Sequence, residues 1–180
     1  MKRVAVFCGS RDGHDPIYMQ KSKQLGEVLA KHNIELVYGG GIVGCMGAVS
    51  EGVLENDGKA IGVIPEKLLT VEIANEALTE LHVVETMHDR KAMMARLADA
   101  FIALPGGAGT LEEWFEVMTW AQIGYHEKPC ALLNVNDYYT PLLQLFDHMI
   151  EQGFVDQLNK DIIMMQEEPE ILIEQIMKGL

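Results

Sequence analysis

The sequence has little positive charge, and acidic residues far outnumber basic ones. Its 14 basic residues include only four arginines and stand against 27 acidic residues, so the formal net charge is −13. Because a surface this acidic repels a polyphosphate backbone, we expect no binding to DNA or RNA polymers. A small anionic ligand is still compatible with this charge where local cations attract it.

Long apolar runs and cysteine pairs are also missing. No run of about 18 apolar residues occurs, and the N-terminus MKRVAVFCGSRDG lacks the features of a cleaved signal. We therefore expect a cytoplasmic protein that does not enter a membrane. Cys8, Cys45 and Cys130 are odd in number and show no C-x-x-C spacing, which is typical of reduced thiols that fill a core. The histidines show no metal-ligand spacing, so we expect no bound metal.

Short apolar segments alternate with helical patterns along all 180 residues. The apolar segments predict strands at 3–10, 34–41, 59–65, 80–85, 100–107, 128–134 and 161–165. Helical spacing predicts helices at 15–33, 44–56, 87–98, 110–123, 139–152 and 169–178, and the segment 66–79 is interpreted as a short helix and a loop. The alternation predicts an α/β fold with a doubly wound parallel sheet of about seven strands and helices on both faces, in a single domain over 1–180.

The loops that follow the strands carry most of the glycine-rich and polar sequence. In a parallel sheet these loops meet at one edge, where ligands bind. Candidate ligand contacts on the first two loops are Ser10, Arg11, Gly40 and Gly41, and a cationic pair, Arg90–Lys91, follows the fourth strand. The glycines of YGGGIVGCMG fit neither an NAD fingerprint nor a Walker loop, and a tight turn with close helix packing also explains them.

The segment LPGGAGTLEE, residues 104–113, joins the fifth strand to a helix. Gly106, Gly107, Gly109 and the amide of Thr110 can form an anion cradle, because glycines admit close approach and a helix N-terminus presents unpaired N–H groups. Phosphate is the expected anion. Thr110 and Glu113 also have the T-x-x-E spacing of a capping box, in which Glu113 bonds back to the Thr110 amide. The sequence leaves open whether Glu113 caps the helix or takes part in chemistry.

Four segments together, PGGAGTLEE, MHDRKAMM, YGGGIVGCMG and WAQIGYHEKPCALLNV, resemble the LOG ("lonely guy") family of cytokinin riboside 5′-monophosphate phosphoribohydrolases, often labelled possible lysine decarboxylases. The resemblance implies a Rossmann-like fold, a homodimer, and no metal or organic cofactor. It also implies hydrolysis of the N-glycosidic bond of an adenine-type nucleoside 5′-monophosphate. The family's substrate contacts fall on Glu72, Arg90, Lys91, Gly107, Ala108, Gly109, Thr110, Glu113 and Thr119.

The chemistry of this bond suggests roles for two of these residues. Cleavage passes through an oxocarbenium-like ribosyl cation, which a carboxylate stabilises or supplies with activated water, and we assign that role to Glu113. Arg90 binds a phosphate or ribose oxygen and orients Glu113, and its guanidinium stays protonated, so it is not the general acid. Ala108 and Cys45 stand where the family commonly has larger residues, which affects the size of the pocket.

Two other functions fit parts of the sequence. One is a non-catalytic nucleotide or cofactor carrier, because a fold does not fix a function. The other is a pyridoxal-phosphate decarboxylase, which needs a Schiff-base lysine, and Lys91 is the only one of ten lysines expected in the crevice.

Two groups of bulky side chains also bear on the site and on assembly. Met87, with the neighbouring methionines of MHDRKAMM, either lines a pocket for a base or packs in the core. The helix at 110–123 carries Trp114, Phe115 and Trp120, more aromatic surface than one inward face buries, which also favours a homodimer.

Overall fold

Seven strands lie in the part of the chain, residues 2–69 and 75–179, that a computed structural model describes. They are β1 Arg3–Phe7, β2 Glu35–Tyr38, β3 Ala60–Pro65, β4 Glu80–Val84, β5 Ala100–Ala103, β6 Cys130–Leu133 and β7 Ile163–Gln166. All neighbouring strands pair in parallel, in the order β4-β3-β2-β1-β5-β6-β7. The predicted seven-stranded parallel sheet is confirmed.

Burial explains why the central strands are continuously apolar. Every residue of β5 and β6 is buried, as is every residue of β1 after Arg3, because helices cover both faces of the sheet. The edge strand β4 differs, since Leu81 and Val83 are 41% and 51% exposed. The continuous apolar pattern therefore marks the centre of the sheet.

Helices pack on both faces, as predicted. Their bounds are α1 Ile17–Lys31, α2 Gly44–Leu54, α3 Met87–Leu97, α4 Ala108–Gln122, α5 Thr140–Glu151, α6 Gln157–Asp161 and α7 Pro169–Lys178. α1, α2 and α7 cover one face, through side chains such as Leu25 and Ile173. α3, α4 and α5 cover the other, through side chains such as Met94 and Trp114. Within the described ranges, no helix has both the length and the apolar character that crossing a bilayer requires.

Several element boundaries differ from the predictions. The sequence predicts Asp15 as the cap of α1 and Pro16 as its first residue, but α1 begins at Ile17 with Pro16 at the N-cap position, and Asp15 accepts a hydrogen bond from the Ile17 amide at 2.9 Å. α4 begins at Ala108, two residues earlier than predicted. α6 was not predicted, and within the segment 66–79 the described helical part is a 3-10 turn at Glu66–Leu68. Of these differences, the start of α4 changes the interpretation of the site.

The aromatic residues of α4 are largely covered by the chain itself. Trp114 is fully buried. The Phe115 ring centroid lies 5.4 Å from that of Trp114 and 6.0 Å from that of Phe146. The prediction that one inward face of α4 cannot bury all of this aromatic surface is wrong for Trp114, because the chain itself buries this side chain. The homodimer stays a prediction that needs other support.

The sheet topology places a crevice between β1 and β5, which are neighbours at its centre. The chain passes from β1 into α1 on one face and from β5 into α4 on the other. The loops after these strands therefore diverge, and such a switch point is where open α/β sheets bind ligands.

Candidate functional site

A cavity of about 280 Å³ lies in the crevice at the carboxyl edge of the sheet. The loops after β1 and β5 and the first turns of α3 and α4 provide most of its lining: Cys8, Gly9, Ser10, Met46, Leu68, Met87, Arg90, Gly107, Gly109, Thr110 and Glu113. A second cavity of about 330 Å³ adjoins it, because Gly9, Ser10 and Gly107 line both. The second cavity also contacts Arg11 and Gly106. Met87 thus lines a pocket and does not pack in the core.

Most of the predicted contacts line one of the two cavities, and the others lie apart. The predicted contacts outside both linings are Gly40, Gly41, Lys91, Ala108 and Thr119. Gly40 and Gly41 are buried after β2, and Ala108 is exposed at the first position of α4. Glu72 lies outside the described residues, so its predicted contact stays a prediction.

Thr119 is distant from the cavity within one chain. It is exposed and stands nine residues after Thr110 on α4, which corresponds to roughly 14 Å along the helix axis. The substrate contact that the resemblance implies for Thr119 therefore needs either a long reach or a second subunit.

The start of α4 decides how Glu113 is placed. Gly107 occupies the N-cap position with φ −87° and ψ −161°, and within the described residues no side chain caps this end of the helix. Thr110 is the third helical residue, so the capping-box interpretation of Thr110 and Glu113 is wrong. The Thr110 side chain packs on Gly106, where an added Cβ would lie 2.1 Å from Oγ1. Glu113 is half-buried in the cavity wall.

The peptide groups of the β5–α4 loop turn their carbonyl oxygens toward the protein. In chain order, Leu104 accepts from Tyr139 Oη at 2.6 Å, Pro105 from the Gly9 amide at 3.3 Å, Gly106 from Tyr138 Oη at 2.6 Å, and Gly107 from the Leu111 amide at 3.2 Å. The N–H groups of residues 106–110 donate to no group in the described part of the chain. Unpaired amides at a helix N-terminus bind anions, so this loop is a cradle for one.

Arg90 reaches the same cavity from α3, whose N-terminus is fixed by a capping box between Thr86 and Asp89. Arg90 is only 6% exposed. Its guanidinium lies against Gly39, where an added Cβ would come within 1.9 Å of Nη2, and its Nη1 lies 3.9 Å from the sulfur of Met87. Gly39 therefore makes room for Arg90, a role that the sequence does not reveal because Gly39 is one of several glycines in YGGGIVGCMG.

Lys91 points to α4 and is 9% exposed. Its Nζ donates hydrogen bonds to Glu112 and, at 3.1 Å, to Glu116 Oε1. The hydrogen bond to Glu112 outweighs the effect of burial and raises the pKa of Lys91. Lys91 thus joins α3 to α4, and its contact with substrate stays a prediction.

Cys8, Cys45 and Cys130 form no disulfide bond, as expected for packing residues. Burial raises the pKa of Cys130 to about 12 and also raises the pKa of Cys45. Cys8 differs, because it is half-buried and lines the first cavity. Among the residues the structure describes, no group of three or more His, Cys, Asp or Glu is arranged to hold a metal ion.

Solved structures share this fold. The molybdenum cofactor binding protein from Rippkaea orientalis is 25% identical, with a TM-score of 0.76 over 98% of this chain and 96% of that one. The molybdenum cofactor carrier protein from Chlamydomonas reinhardtii is 19% identical, with a TM-score of 0.73 over 99% of this chain and 97% of that one. At this identity the second similarity shows the fold alone.

Relatives in sequence are much more similar. A probable cytokinin riboside 5′-monophosphate phosphoribohydrolase of Oryza sativa subsp. japonica is 51% identical over 97% of this chain and 72% of its own. Cytokinin riboside 5′-monophosphate phosphoribohydrolases of Arabidopsis thaliana and Rhodococcoides fascians are 49% and 51% identical, over 97% and 86% of this chain and 81% and 78% of their own. The family model described as "Possible lysine decarboxylase" matches residues 46–176. The chain therefore belongs to the LOG family, the group of cytokinin riboside 5′-monophosphate phosphoribohydrolases that carries this older description.

Proposed function

We propose that the protein hydrolyses the N-glycosidic bond of adenine-type nucleoside 5′-monophosphates, such as AMP and cytokinin riboside 5′-monophosphates. The products are the free base and ribose 5-phosphate. One observation carries the proposal: Glu113 and Arg90 line the same cavity as Gly107, Gly109 and Thr110 of the anion cradle. The names of relatives about 50% identical to this chain support the same substrate class.

The cradle holds the 5′-phosphate in this proposal. A phosphate dianion can accept hydrogen bonds from the unpaired amides and is attracted by the positive end of the α4 dipole. A neutral nucleoside has no phosphate to make these interactions. Ser10 and Arg11, in the loop after β1, face this region from the adjoining cavity and are the further phosphate or ribose contacts that we propose. Binding at the phosphate fixes the sugar relative to Glu113, so the reacting carbon is positioned before the bond breaks.

Glu113 and Arg90 act at the sugar. When the bond between C1′ and the base nitrogen breaks, the electron pair leaves with the base, whose nitrogen takes a proton from water, and positive charge develops on the ribose ring. The Glu113 carboxylate stabilises that charge and accepts a proton from the water that adds to C1′. Arg90 binds a phosphate or ribose oxygen, and Gly39 and Met87 fix its position.

The other candidate functions have less support. A non-catalytic carrier on this fold is favoured only by the cofactor-binding neighbour that is 25% identical, whereas the relatives that are twice as similar are named as hydrolases. A pyridoxal-phosphate decarboxylase would use Lys91 for its Schiff base, but Lys91 Nζ is held by Glu112 and Glu116 on α4. Neither alternative explains why Glu113 stands beside an anion cradle.

Product analysis tests the proposed function. The protein is incubated with AMP, adenosine and isopentenyladenosine 5′-monophosphate, and bases and sugar phosphates are separated by chromatography. We expect free base and ribose 5-phosphate in equal amounts from the monophosphates, and a kcat/KM for adenosine lower by about 100-fold or more because its phosphate contacts are missing. Intact AMP after binding would support a carrier, and equal kcat/KM for adenosine and AMP would contradict the phosphate role of the cradle.

Two further properties belong to this proposal. The first is a homodimer, which is supported by strongly exposed apolar side chains after α4 and around α6: Ile123, Tyr125, Phe154 and Leu158. The position of Thr119, remote from the cavity of its own chain, is also consistent with a contact across subunits. The second is a cytoplasmic location, which is supported by the absence of a disulfide bond at Cys8, Cys45 and Cys130 and is tested by cell fractionation.

A further inference from the structure

We infer that Tyr138 is a positioning residue for the phosphate-binding loop, because its hydroxyl fixes the Gly106–Gly107 peptide with the N–H of Gly107 directed at the anion. Tyr138 follows β6, and nothing in the sequence motif PGGAGT indicates that it contributes to the site. The inference rests on the proposed function in one respect, namely that the anion is the 5′-phosphate of the substrate.

The geometry of one peptide group carries the inference. Tyr138 Oη donates a hydrogen bond to the carbonyl oxygen of Gly106 at 2.6 Å. This peptide is trans, so the N–H of Gly107 points in the direction opposite to that carbonyl. Gly107 lines both cavities, whereas Tyr138 lines only the second. The Gly107 amide is therefore held on the side away from Tyr138, toward the cavity that contains Glu113.

A peptide flanked by glycine needs such a restraint. An added Cβ at Gly107 would meet nothing within 4 Å, so packing around this residue does not hold its conformation. Glycine also has access to more backbone conformations than any other residue. The Leu111 amide holds the Gly107 carbonyl, and the Tyr138 hydroxyl holds the Gly106 carbonyl, so loss of that hydroxyl leaves the direction of the Gly107 N–H less restrained.

The turn before Tyr138 places the Tyr138 side chain against the β5–α4 loop. Asn136 and Asp137 both have left-handed backbone conformations, with φ of 50° and 56°, which Asn and Asp adopt more readily than other residues with a side chain. The buried side chain of Asn134 stabilises the turn by accepting a hydrogen bond from the Tyr139 amide at 2.6 Å. The turn places two consecutive tyrosines on the β5–α4 loop, since Tyr139 Oη donates to Leu104 O in the same way.

The two tyrosines differ in burial, which separates their roles. Tyr139 is 2% exposed and belongs to the core, so its loss affects folding as well as the loop. Tyr138 is 41% exposed. Removing the Tyr138 hydroxyl therefore tests the loop without disturbing the core.

The test compares Tyr138→Phe with Tyr18→Phe in the full chain. Tyr138→Phe removes only the hydroxyl. Tyr18 is the matched control, because its ring lies 5.8 Å from that of Tyr138 and its hydroxyl makes no hydrogen bond among the described residues. Calorimetry measures the Kd for ribose 5-phosphate, and steady-state kinetics measure kcat/KM for AMP and for adenosine.

We expect Tyr138→Phe to raise the Kd for ribose 5-phosphate by about 3- to 10-fold, which is the usual effect of losing one hydrogen bond. The kcat/KM for AMP should fall by a similar factor, while kcat/KM for adenosine and the melting temperature stay close to wild type. Tyr18→Phe should change none of these values. A purely structural role for Tyr138 would reduce AMP and adenosine turnover equally, since it would not act through the phosphate.

Two results would overturn the inference: a Kd within about twofold of wild type, or equal losses for AMP and adenosine. Absence of ribose 5-phosphate binding to the wild-type protein would overturn it as well. If the wild-type protein binds ribose 5-phosphate but leaves AMP intact, the proposed hydrolase function fails and the Kd comparison still decides the role of Tyr138.

Discussion

Glu113 shows how the role of one residue depends on where its helix begins. If α4 began at Thr110, Glu113 would be tied to the helix end as part of a capping box. Because the helix begins at Ala108, Glu113 is instead the sixth helical residue and lies in the cavity wall beside Thr110. At the scale of the residue, this shift places the carboxylate in the cavity wall, where the proposed chemistry at the sugar requires it.

The variant Glu113→Gln tests the catalytic role. Losing the negative charge beside the ribosyl cation should lower kcat by about two to four orders of magnitude, while the melting temperature stays nearly unchanged. AMP affinity should hold or improve, because removing a carboxylate near a phosphate dianion relieves repulsion. Rapid-quench kinetics and thermal unfolding measure these quantities.

Glu112→Gln is the matched control for this experiment. Glu112 stands in the same turn, but its side chain is 57% exposed and pairs with Lys91. We expect its kcat to stay within a few-fold of wild type. If Glu113→Gln turns over AMP at a rate similar to that of Glu112→Gln, the catalytic assignment should be abandoned.

At the scale of the elements, the site depends on how α3 and α4 are held together. α3 carries Arg90 and α4 carries Glu113, and the two helices are joined directly by Lys91, which hydrogen-bonds Glu112 and Glu116. On α3, Lys91 directly follows Arg90. On α4, Glu113 lies between Glu112 and Glu116 in the sequence. The link therefore stabilises the packing of α3 on α4, and Lys91 keeps its hydrogen bond to Glu116 if Glu112 is changed.

Lys91→Met should destabilise the fold by about 1–2 kcal/mol, less than for a fully buried pair because Glu112 is largely exposed. The pKa of Lys91 is raised, chiefly by its hydrogen bond to Glu112. A raised lysine pKa stabilises the fold below the ordinary value of about 10.4 and loses its effect as the pH rises through the folded-state value. Urea unfolding should therefore show the full difference from wild type at neutral pH and a smaller one in strongly alkaline solution.

The variant Lys91→Met also distinguishes two roles of Lys91: joining α3 to α4, as the structure shows, and contacting the substrate, as the resemblance implies. A link should leave the KM for AMP within about threefold of wild type, because Lys91 Nζ is occupied by carboxylates. A KM raised by tenfold or more at unchanged stability would instead place Lys91 on the phosphate.

At the scale of the whole molecule, the distribution of apolar surface bears on assembly. Most large apolar side chains are buried in the two core clusters on either face of the sheet. Tyr125, Phe154 and Leu158 are exceptions, with exposed fractions of 80%, 86% and 76%. Monomeric proteins rarely expose a large contiguous patch of apolar side chains. We propose a second copy of this chain as the partner that covers them.

Light scattering should give a mass near twice the 20.0 kDa of the chain at micromolar concentration. Replacing Phe154 and Leu158 by Ser should shift the mass toward the monomer, while the polar residue Asn159, replaced in parallel by Ser, should not change it. A monomer mass for the wild-type protein across this concentration range would contradict the homodimer.

The sequence by itself determined the architecture and the location of the site. Continuous apolar segments such as 100–103 and 130–133 are typical of strands buried on both faces, so their alternation with helical patterns predicts a parallel sheet with helices on each side. Because the carboxyl ends of parallel strands share an edge, the sequence also places Ser10, Arg90 and Glu113 near one another. These properties follow from local pattern and from the topology that the pattern imposes.

Only the tertiary structure decided what each polar side chain faces. The T-x-x-E spacing predicts a cap at Thr110, but the helix begins at Ala108 and the Thr110 side chain packs on Gly106. The hydroxyl of Tyr138 reaches the Gly106 carbonyl across 32 positions in the sequence. Such contacts depend on distances between elements that are remote in the chain, and no local propensity or periodicity encodes those distances.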